Sequence, residues 1–191
     1  MSTPVFADEH YDQKDFRESG LPAGTYDNCR FTNCLFTAVD FTNFRFTECQ
    51  FEDCDLSNAI LTETALQEVE FVRSKLLGIH FSACRTFRLE LKFRQCILDY
   101  ASFTGLPLVS TEFVECQIQE ADFAEADLSK AKFAKSNLSG SQFEYTNLEG
   151  ADFRTAHHFT INPEHNRLTG AQFSATNLAG LLTHYGLQIE D

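Results

Sequence analysis

A large apolar residue, usually Phe or Leu, recurs at every fifth position through most of this 191-residue chain. Two runs keep this period in different phases. We call the recurring apolar residue the centre of each five-residue repeat. Centres fall at positions ending in 1 or 6 in the first run and at positions ending in 3 or 8 in the second. The residue two positions before each centre is usually small, most clearly in ADFAEADLSKAKFAKSNLSGSQFEYTNLEGADF. Any fold for this chain has to bring these centres into one core.

Neither regular secondary structure keeps a period of five. On a helix, five residues advance by about 500°, so successive centres drift by about 140° around the axis. On a strand, five is odd, so successive centres alternate between faces. All centres point inward only if the backbone turns a corner at every repeat. The sequence therefore predicts an all-β fold: a four-sided β-helix of twenty-residue coils stacked about 4.8 Å apart.

We expect one solenoid domain over residues 1–191, divided by the change of phase. The second run starts two residues late, which predicts a local bulge or a small loop in which Thr86 replaces a centre. We expect residues 1–12 to be loosely ordered and Phe16 to begin the first coil. The predicted parts are an N-terminal tail or cap (1–15), the first run (16–83), the register break (84–97), the second run (98–176) and a C-terminal helix and strand (177–191).

The C-terminal segment carries the apolar stripe of a short amphipathic helix. Its members recur at i, i+3, i+4 and i+7, and Gly186 follows at the position that ends a helix. Residues 187–189 alternate like a short strand. The helix either caps the solenoid or pairs with a second copy. The residues concerned are Leu178, Leu181, Leu182 and Tyr185.

The net charge of −13 excludes several classes of partner. The chain has 15 Lys and Arg against 28 Asp and Glu, so it lacks the cations that bind nucleic acid or anionic lipid. A basic binding site would attract it. No apolar run approaches the ~18 residues of a membrane span, and the N-terminus shows no secretory signal. We expect a cytoplasmic protein with no membrane or nucleic-acid partner.

Cysteine and histidine are the candidate ligands for a metal. The seven cysteines stand in the small slot before a centre, so we interpret them as buried filler, with redox or metal use as the alternative. His157, His158 and His165 could hold a metal, although the segment also looks like a turn around Pro163. No motif for a catalytic nucleophile or phosphate loop occurs. The sequence predicts no enzyme, cofactor or metal site.

Acidic residues recur at spacings that the repeat does not require. Glu48 and Glu68 are twenty residues apart and should stack, which costs stability because like charges then face each other. One explanation is solubility and protection against edge aggregation. The other is imitation of duplex DNA, which carries one charge per ~1.7 Å and has a width close to that of a four-sided coil.

Several segments resemble bacterial pentapeptide-repeat proteins, and within them the gyrase-protecting group. The ending INPEHNRLTGAQFSATNLAGLLTHYGLQIE is similar to that of the immunity proteins against microcin and albicidin, which share the group with Qnr-type quinolone-resistance proteins. KLLGIHFSAC and FRQCILDYASFTGL are similar to their middle section. The resemblance implies a right-handed quadrilateral β-helix that dimerises through its C-terminal helix.

The resemblance also implies a function. Such a protein imitates DNA, binds gyrase or topoisomerase IV and limits the damage caused by a poison. The first run lacks inserted loops, which favours a natural poison over quinolones. The alternative is an adaptor solenoid with no topoisomerase role. Carried over by position, the dimer contacts would be Leu178, Leu181, Leu182 and Tyr185. The acidic face would be Glu48, Glu52, Asp53, Asp55, Glu68, Glu115, Glu120 and Asp127.

Overall fold

A computed structural model describes residues 3–187 and shows a four-sided parallel β-helix. Its sides are too short for long strands because the chain turns a corner every five residues. The strands are β1 (Val5–Ala7), β2 (His10–Asp12), β3 (Thr25–Asp27), β4 (Arg30–Thr32), β5 (Arg45–Thr47), β6 (Gln50–Glu52), β7 (Ala65–Gln67), β8 (Val69–Val72), β9 (Leu91–Arg94) and β10 (Glu112–Val114). Short 3₁₀ turns span Phe81–Ala83 and Thr183–Tyr185, and α1 spans Ala179–Leu182.

The strands and the bridges between them define four faces along the rod. The first face contains β1, β3, β5 and β7, and the second contains β2, β4, β6, β8, β9 and β10, all parallel. The third and fourth faces are held by single bridging pairs, such as Asp55 with Lys75 and Asp122 with Gln142. Partners are twenty residues apart in most pairs. The predicted all-β solenoid is confirmed.

The corners are made by residues in the left-handed backbone conformation. Among residues 3–187, twenty-three residues other than glycine have φ between 47° and 65°, nearly all of them two positions after a centre. Asn, Asp and Gly adopt this conformation at low cost, and Asn28, Asn58 and Gly78 illustrate that preference. Glutamate gains no such benefit, yet Glu120 and Glu125 stand at corners. Backbone preference therefore does not account for these acids.

The centres form columns of stacked side chains. On the second face nine aromatic rings lie one above another, with successive centroids 4.7–5.5 Å apart. Eight coil steps of ~4.8 Å give a column about 38 Å long. The rings are those of Tyr11, Phe31, Phe51, Phe71, Phe93, Phe113, Phe133, Phe153 and Phe173.

The small slots also hold the coils together. Ser136 donates its hydroxyl to the carbonyl of Phe113 at 3.1 Å, and the Cys54 thiol lies 3.4 Å from the carbonyl of Phe31. All seven cysteines are buried and free. Burial raises the pKa of the Cys49 and Cys84 thiols to about 12, so both stay protonated. The cysteines act as small buried side chains.

The register break is a bulge between Arg85 and Leu91. Val69 pairs with Leu91, an offset of 22 residues, whereas Ala65 still pairs with Arg85 at an offset of 20. Thr86 keeps the backbone position of a centre, because Arg85 still pairs with Ala65 and Arg88 makes the left-handed corner two residues later. Its side chain is nevertheless exposed and does not fill the core. Leu89 packs against the core instead, since the two extra residues bring it back to the interior.

The N-terminal segment is part of the solenoid. For the described part of the segment expected to be loosely ordered (1–12), the expectation is wrong: β1 pairs with β3, and β2 pairs with β4. Phe6 stacks on Tyr26 with centroids 4.7 Å apart, and Tyr11 stacks on Phe31 at 4.9 Å. Because each ring finds the aromatic core of the next coil, the first coil begins with β1 rather than at Phe16.

The C-terminal end is closed by the predicted helix. In α1, Leu181 packs against the core, and the Ile161 N–H donates to the Gly180 carbonyl at 3.0 Å. Gly186 follows with φ of 63°, the left-handed conformation that ends a helix. The strand predicted over residues 187–189 lies largely outside the described residues. Within residues 3–187, no helix is long and apolar enough to cross a membrane.

Candidate functional site

Charge differs sharply between the four sides of the rod. The second face and the corner after it carry seven acids and seven bases in residues 10–155. Many are paired: Arg73 contacts Glu52 at 2.6 Å and Asp53 at 2.8 Å. Lys135 contacts Glu115 at 2.9 Å and lowers the pKa of that carboxyl. This side is neutralised by its own side chains.

The first and third faces are also close to balance. The outward residues of the first face and the corner after it carry seven acids and five bases. Those of the third face carry three acids and two bases. None of these three sides holds a large share of the net charge of −13.

The fourth face and its two flanking corners contain no Lys or Arg, and we call them the base-free side. It consists of residues 18–23, 38–43, 58–63, 78–83, 100–105, 120–125 and 140–145. Seven acids lie on it, more than half of the net charge of −13. They are Glu18, Asp40, Glu63, Glu120, Asp122, Glu125 and Glu144.

A chain of hydroxyl groups runs along the fourth face between coils. Ser82 and Ser102 have their oxygens 3.1 Å apart, and the Ser102 hydroxyl lies 3.0 Å from that of Thr104. Thr104 donates to the Asp122 carboxylate at 2.9 Å. Hydrogen bonds from Thr42 lower the pKa of Asp40. This side is therefore anionic, and hydrogen bonds between its short polar side chains link neighbouring coils.

Two side chains from outside reach the acids of the base-free side. Arg85 lies 3.2 Å from Glu63, and His165 lies 2.8 Å from Glu144. Within the part of the chain that the structure describes, no ion pair reaches the carboxylates of Glu120, Asp122 or Glu125, which share one coil. The strongest uncompensated charge among the described residues on this side is therefore on the coil 120–125.

The eight acids predicted for one acidic face lie on all four sides, because the prediction did not assign each repeat to a side. Three belong to the first face and its corner, three to the second, one to the third and one to the base-free side. Glu48, Glu68 and Asp127 belong to the first face and its corner, and Glu52, Asp53 and Glu115 belong to the second. Asp55 belongs to the third face, and Glu120 belongs to the base-free side.

The predicted dimer residues lie together at the C-terminal end. Leu178, Leu182 and Tyr185 are 43%, 36% and 48% exposed, whereas Leu181 packs against the solenoid. The Tyr185 hydroxyl donates to Glu164 at 3.1 Å. Three apolar side chains are thus available at this end of the rod.

The histidines proposed as an alternative metal site have separate surroundings. His157 and His158 have ring centroids 6.3 Å apart, and His165 stacks against Tyr145 and contacts Glu144. Residues 3–187 contain no group of three or more metal-ligating side chains that could hold an ion.

The repeat is recognised independently of its geometry. A family model for the pentapeptide repeat region matches residues 24–92 and 89–153. The chain belongs to the pentapeptide repeat family. Members of this family are generally non-enzymatic binding scaffolds. A comparison with the curated proteins finds no match.

Two solved structures are similar to this chain at low sequence identity. Trypsin-treated QnrB1, a plasmid-mediated fluoroquinolone resistance protein, is 18% identical, with a TM-score of 0.47 over 98% of this chain and 100% of its own. HetL, a pentapeptide repeat protein of heterocyst differentiation regulation from the cyanobacterium Nostoc sp., is 15% identical, with a TM-score of 0.46 over 89% and 86%.

Proposed function

We propose that this pentapeptide repeat protein binds a type II topoisomerase, gyrase or topoisomerase IV, in place of duplex DNA and protects it from a poison. The observation that carries the proposal is the base-free side, where seven carboxylates line the rod without a single Lys or Arg. The resemblance of the C-terminal segment to gyrase-protecting proteins supports the same partner. With such a target, the protein acts in the cytoplasm, without a cofactor, metal or catalytic residue.

The charge density of the base-free side is of the order that imitation requires. Seven acids spread over six coil steps of ~4.8 Å, or about 29 Å. Duplex DNA of that length carries about 17 charges, and roughly half of them face one partner. Of the predicted acids, Glu120 belongs to this surface. The other seven are assigned a supporting role through the long-range field.

The concentration of negative charge on one side favours imitation of DNA over solubility as the explanation of the acidic residues. Acids retained only for solubility or edge protection can stand on any outward position, since every coil offers eight or more. Here three sides are close to neutral and the fourth holds most of the charge. If the protein is instead an adaptor for another partner, the same side remains the surface to which a basic partner would bind.

We further propose that the rod is doubled by pairing of C-terminal ends. Leu178, Leu182 and Tyr185 offer an apolar surface that a two-fold axis would bury against its own copy, while Leu181 holds α1 on the solenoid. Sedimentation equilibrium is expected to give twice the chain mass of 21.7 kDa. A mass of one chain at micromolar concentration would refute the pairing.

Titration of purified gyrase tests the proposed function. We expect the protein to relieve poisoned gyrase in cleavage and supercoiling assays at low concentration and to inhibit the free enzyme only at higher concentration. Because the attraction is between exposed charges, binding should weaken steeply as salt rises. Lack of any effect on gyrase and topoisomerase IV, with folded protein, would favour the adaptor.

A further inference from the structure

Two tyrosines project from the corners of the base-free side. Tyr100 exposes 64% of its surface at one corner, and Tyr145 exposes 72% at the other. Neither contributes to the stacked core. A surface that serves only solubility has few exposed aromatic side chains. Tyrosine is instead enriched at the sites where proteins bind one another.

Each tyrosine has a carboxylate in the same corner column, one coil away. The Tyr100 N–H donates to the Gln119 carbonyl at 2.9 Å, so Glu120 follows in the next coil at the same corner. The Glu125 N–H donates to the Glu144 carbonyl at 2.8 Å, so Tyr145 follows Glu125 in the same way. Neighbouring coils are ~4.8 Å apart. The Glu120 carboxylate lies beside Gly140, on the coil away from Tyr100. Because the Glu120 side chain is exposed, a rotation toward Tyr100 brings its carboxylate within reach of one arginine that also contacts the ring.

Arginine fits such a pair better than other side chains do. Its planar guanidinium stacks on the face of an aromatic ring while its N–H groups donate to a carboxylate. The Tyr145 ring also stacks against His165, with centroids 5.7 Å apart, and this contact limits how the ring can turn. Asp122 lies between the two corners on the coil of Glu120 and Glu125.

We propose that Tyr100 with Glu120, and Tyr145 with Glu125, are two receptors for arginine side chains of a basic protein partner. The proposal rests on the base-free side being the binding surface of the proposed function. It adds that binding there depends on two stacked arginines as well as on net charge. The receptors lie at opposite corners of one side, so the partner surface has to present both arginines across the width of the rod.

The negative charge of the base-free side disfavours binding of nucleic acid, of a second copy of the chain or of an apolar segment. Nucleic acid and the same side of a second copy are both anionic and would be repelled by Glu120, Asp122 and Glu125. An apolar segment would bury these carboxylates without cations, which is costly. A basic protein surface satisfies the rings and the carboxylates together.

The test compares Tyr100→Leu/Tyr145→Leu with Tyr100→Phe/Tyr145→Phe. Leucine keeps apolar area but has no ring, whereas phenylalanine keeps the ring and loses only the hydroxyl. Affinity would be measured for a nine-residue oligo-arginine peptide and for gyrase over a series of salt concentrations. We expect the leucine variant to bind about tenfold more weakly than wild type, and the phenylalanine variant to bind nearly as tightly as wild type. The dependence on salt should stay unchanged, since no charge is altered.

A matched control is Phe87→Leu on the bulge, where the ring is 75% exposed but lies away from the base-free side; its binding should equal that of wild type. The receptors are refuted if the leucine variant binds both probes like wild type, or if the phenylalanine variant is as weak as the leucine variant. They are equally refuted if Phe87→Leu alone weakens binding. If the leucine and phenylalanine variants differ in their affinity for oligo-arginine but the protein does not bind gyrase, the proposed topoisomerase partner is refuted and the arginine receptors are not.

Discussion

Reversing three acids of the base-free side, in the variant Glu120→Lys/Glu125→Lys/Glu144→Lys, should abolish protection of gyrase. Glu120 and Glu125 stand at left-handed corners, a conformation that lysine adopts at Lys130 and Lys135, so the fold should be retained. Each reversal replaces an attraction to a basic groove by a repulsion. An exposed pair at contact is worth about 1 kcal/mol in water. Three reversals therefore weaken binding a hundredfold or more.

The matched control reverses three acids on the first and second faces: Glu48→Lys/Glu52→Lys/Glu68→Lys. Both variants change the net charge by the same amount, so long-range attraction falls equally, and only the position of the change differs. We expect the control to lose at most about tenfold, as screened charges do at a distance. Equal loss in the two variants, measured by titration of gyrase cleavage complexes, would show that total charge rather than the base-free side determines binding.

Replacing an inner ring of the second-face column, Phe113→Ala, should strongly destabilise the solenoid. Phe113 is fully buried and stacks between Phe93 at 5.2 Å and Phe133 at 4.9 Å. Its loss leaves a cavity between two coils and should lower the free energy of unfolding by about 3–5 kcal/mol. For a chain of this size, the melting temperature should fall by about 10 °C in a calorimetric scan.

The control for this prediction is Phe87→Ala, the same substitution at a ring that is 75% exposed. It should change the free energy of unfolding by no more than about 0.5 kcal/mol. Because a solenoid is stabilised mainly by contacts between neighbouring coils, Phe113→Ala should also broaden the transition. If the two alanine variants melted at the same temperature, the column of stacked rings would not be the main source of stability.

The five-residue period was sufficient to predict the coil because no regular element satisfies it. Centres at an odd spacing point to one core only if the chain turns between them, and the four-sided β-helix follows. The same reasoning placed the cysteines in small buried slots. A separate pattern, apolar residues at i, i+3, i+4 and i+7, predicted the helix of Leu181 and Leu182 at the end of the rod, where Gly186 ends it.

The first coil was missed although its centres keep the register. Phe6 and Tyr11 precede Phe16 at intervals of five, but the slots before them hold Pro4 and Glu9 instead of a small apolar residue. At the open end of a solenoid no preceding coil packs against the position two residues before a centre. A larger or charged residue is therefore tolerated at that position. Only the aromatic centres Phe6 and Tyr11 indicate in the sequence that a coil is present there.

The base-free side was missed because the pentapeptide period does not distinguish one face from another. Side membership repeats every twenty residues, with two added after the bulge. Counting charge along the chain therefore mixes all four sides. Glu48 and Glu115 look equivalent to Glu120 in the repeat, yet they lie on different columns, and Glu115 is paired with Lys135. Only the register of the bulge, where Val69 pairs with Leu91, assigns later residues to their sides.

The unequal charge of the sides gives the rod a transverse dipole that a DNA duplex does not have. The phosphates of a duplex follow a screw around its axis, so DNA can roll and slide in a basic groove and find an equivalent contact at each step. Here a quarter-turn about the long axis replaces the side of Asp122 by one on which acids and bases nearly cancel. A basic groove would therefore hold this rod at one rotational setting, and an imitation of DNA built in this way stays where it binds.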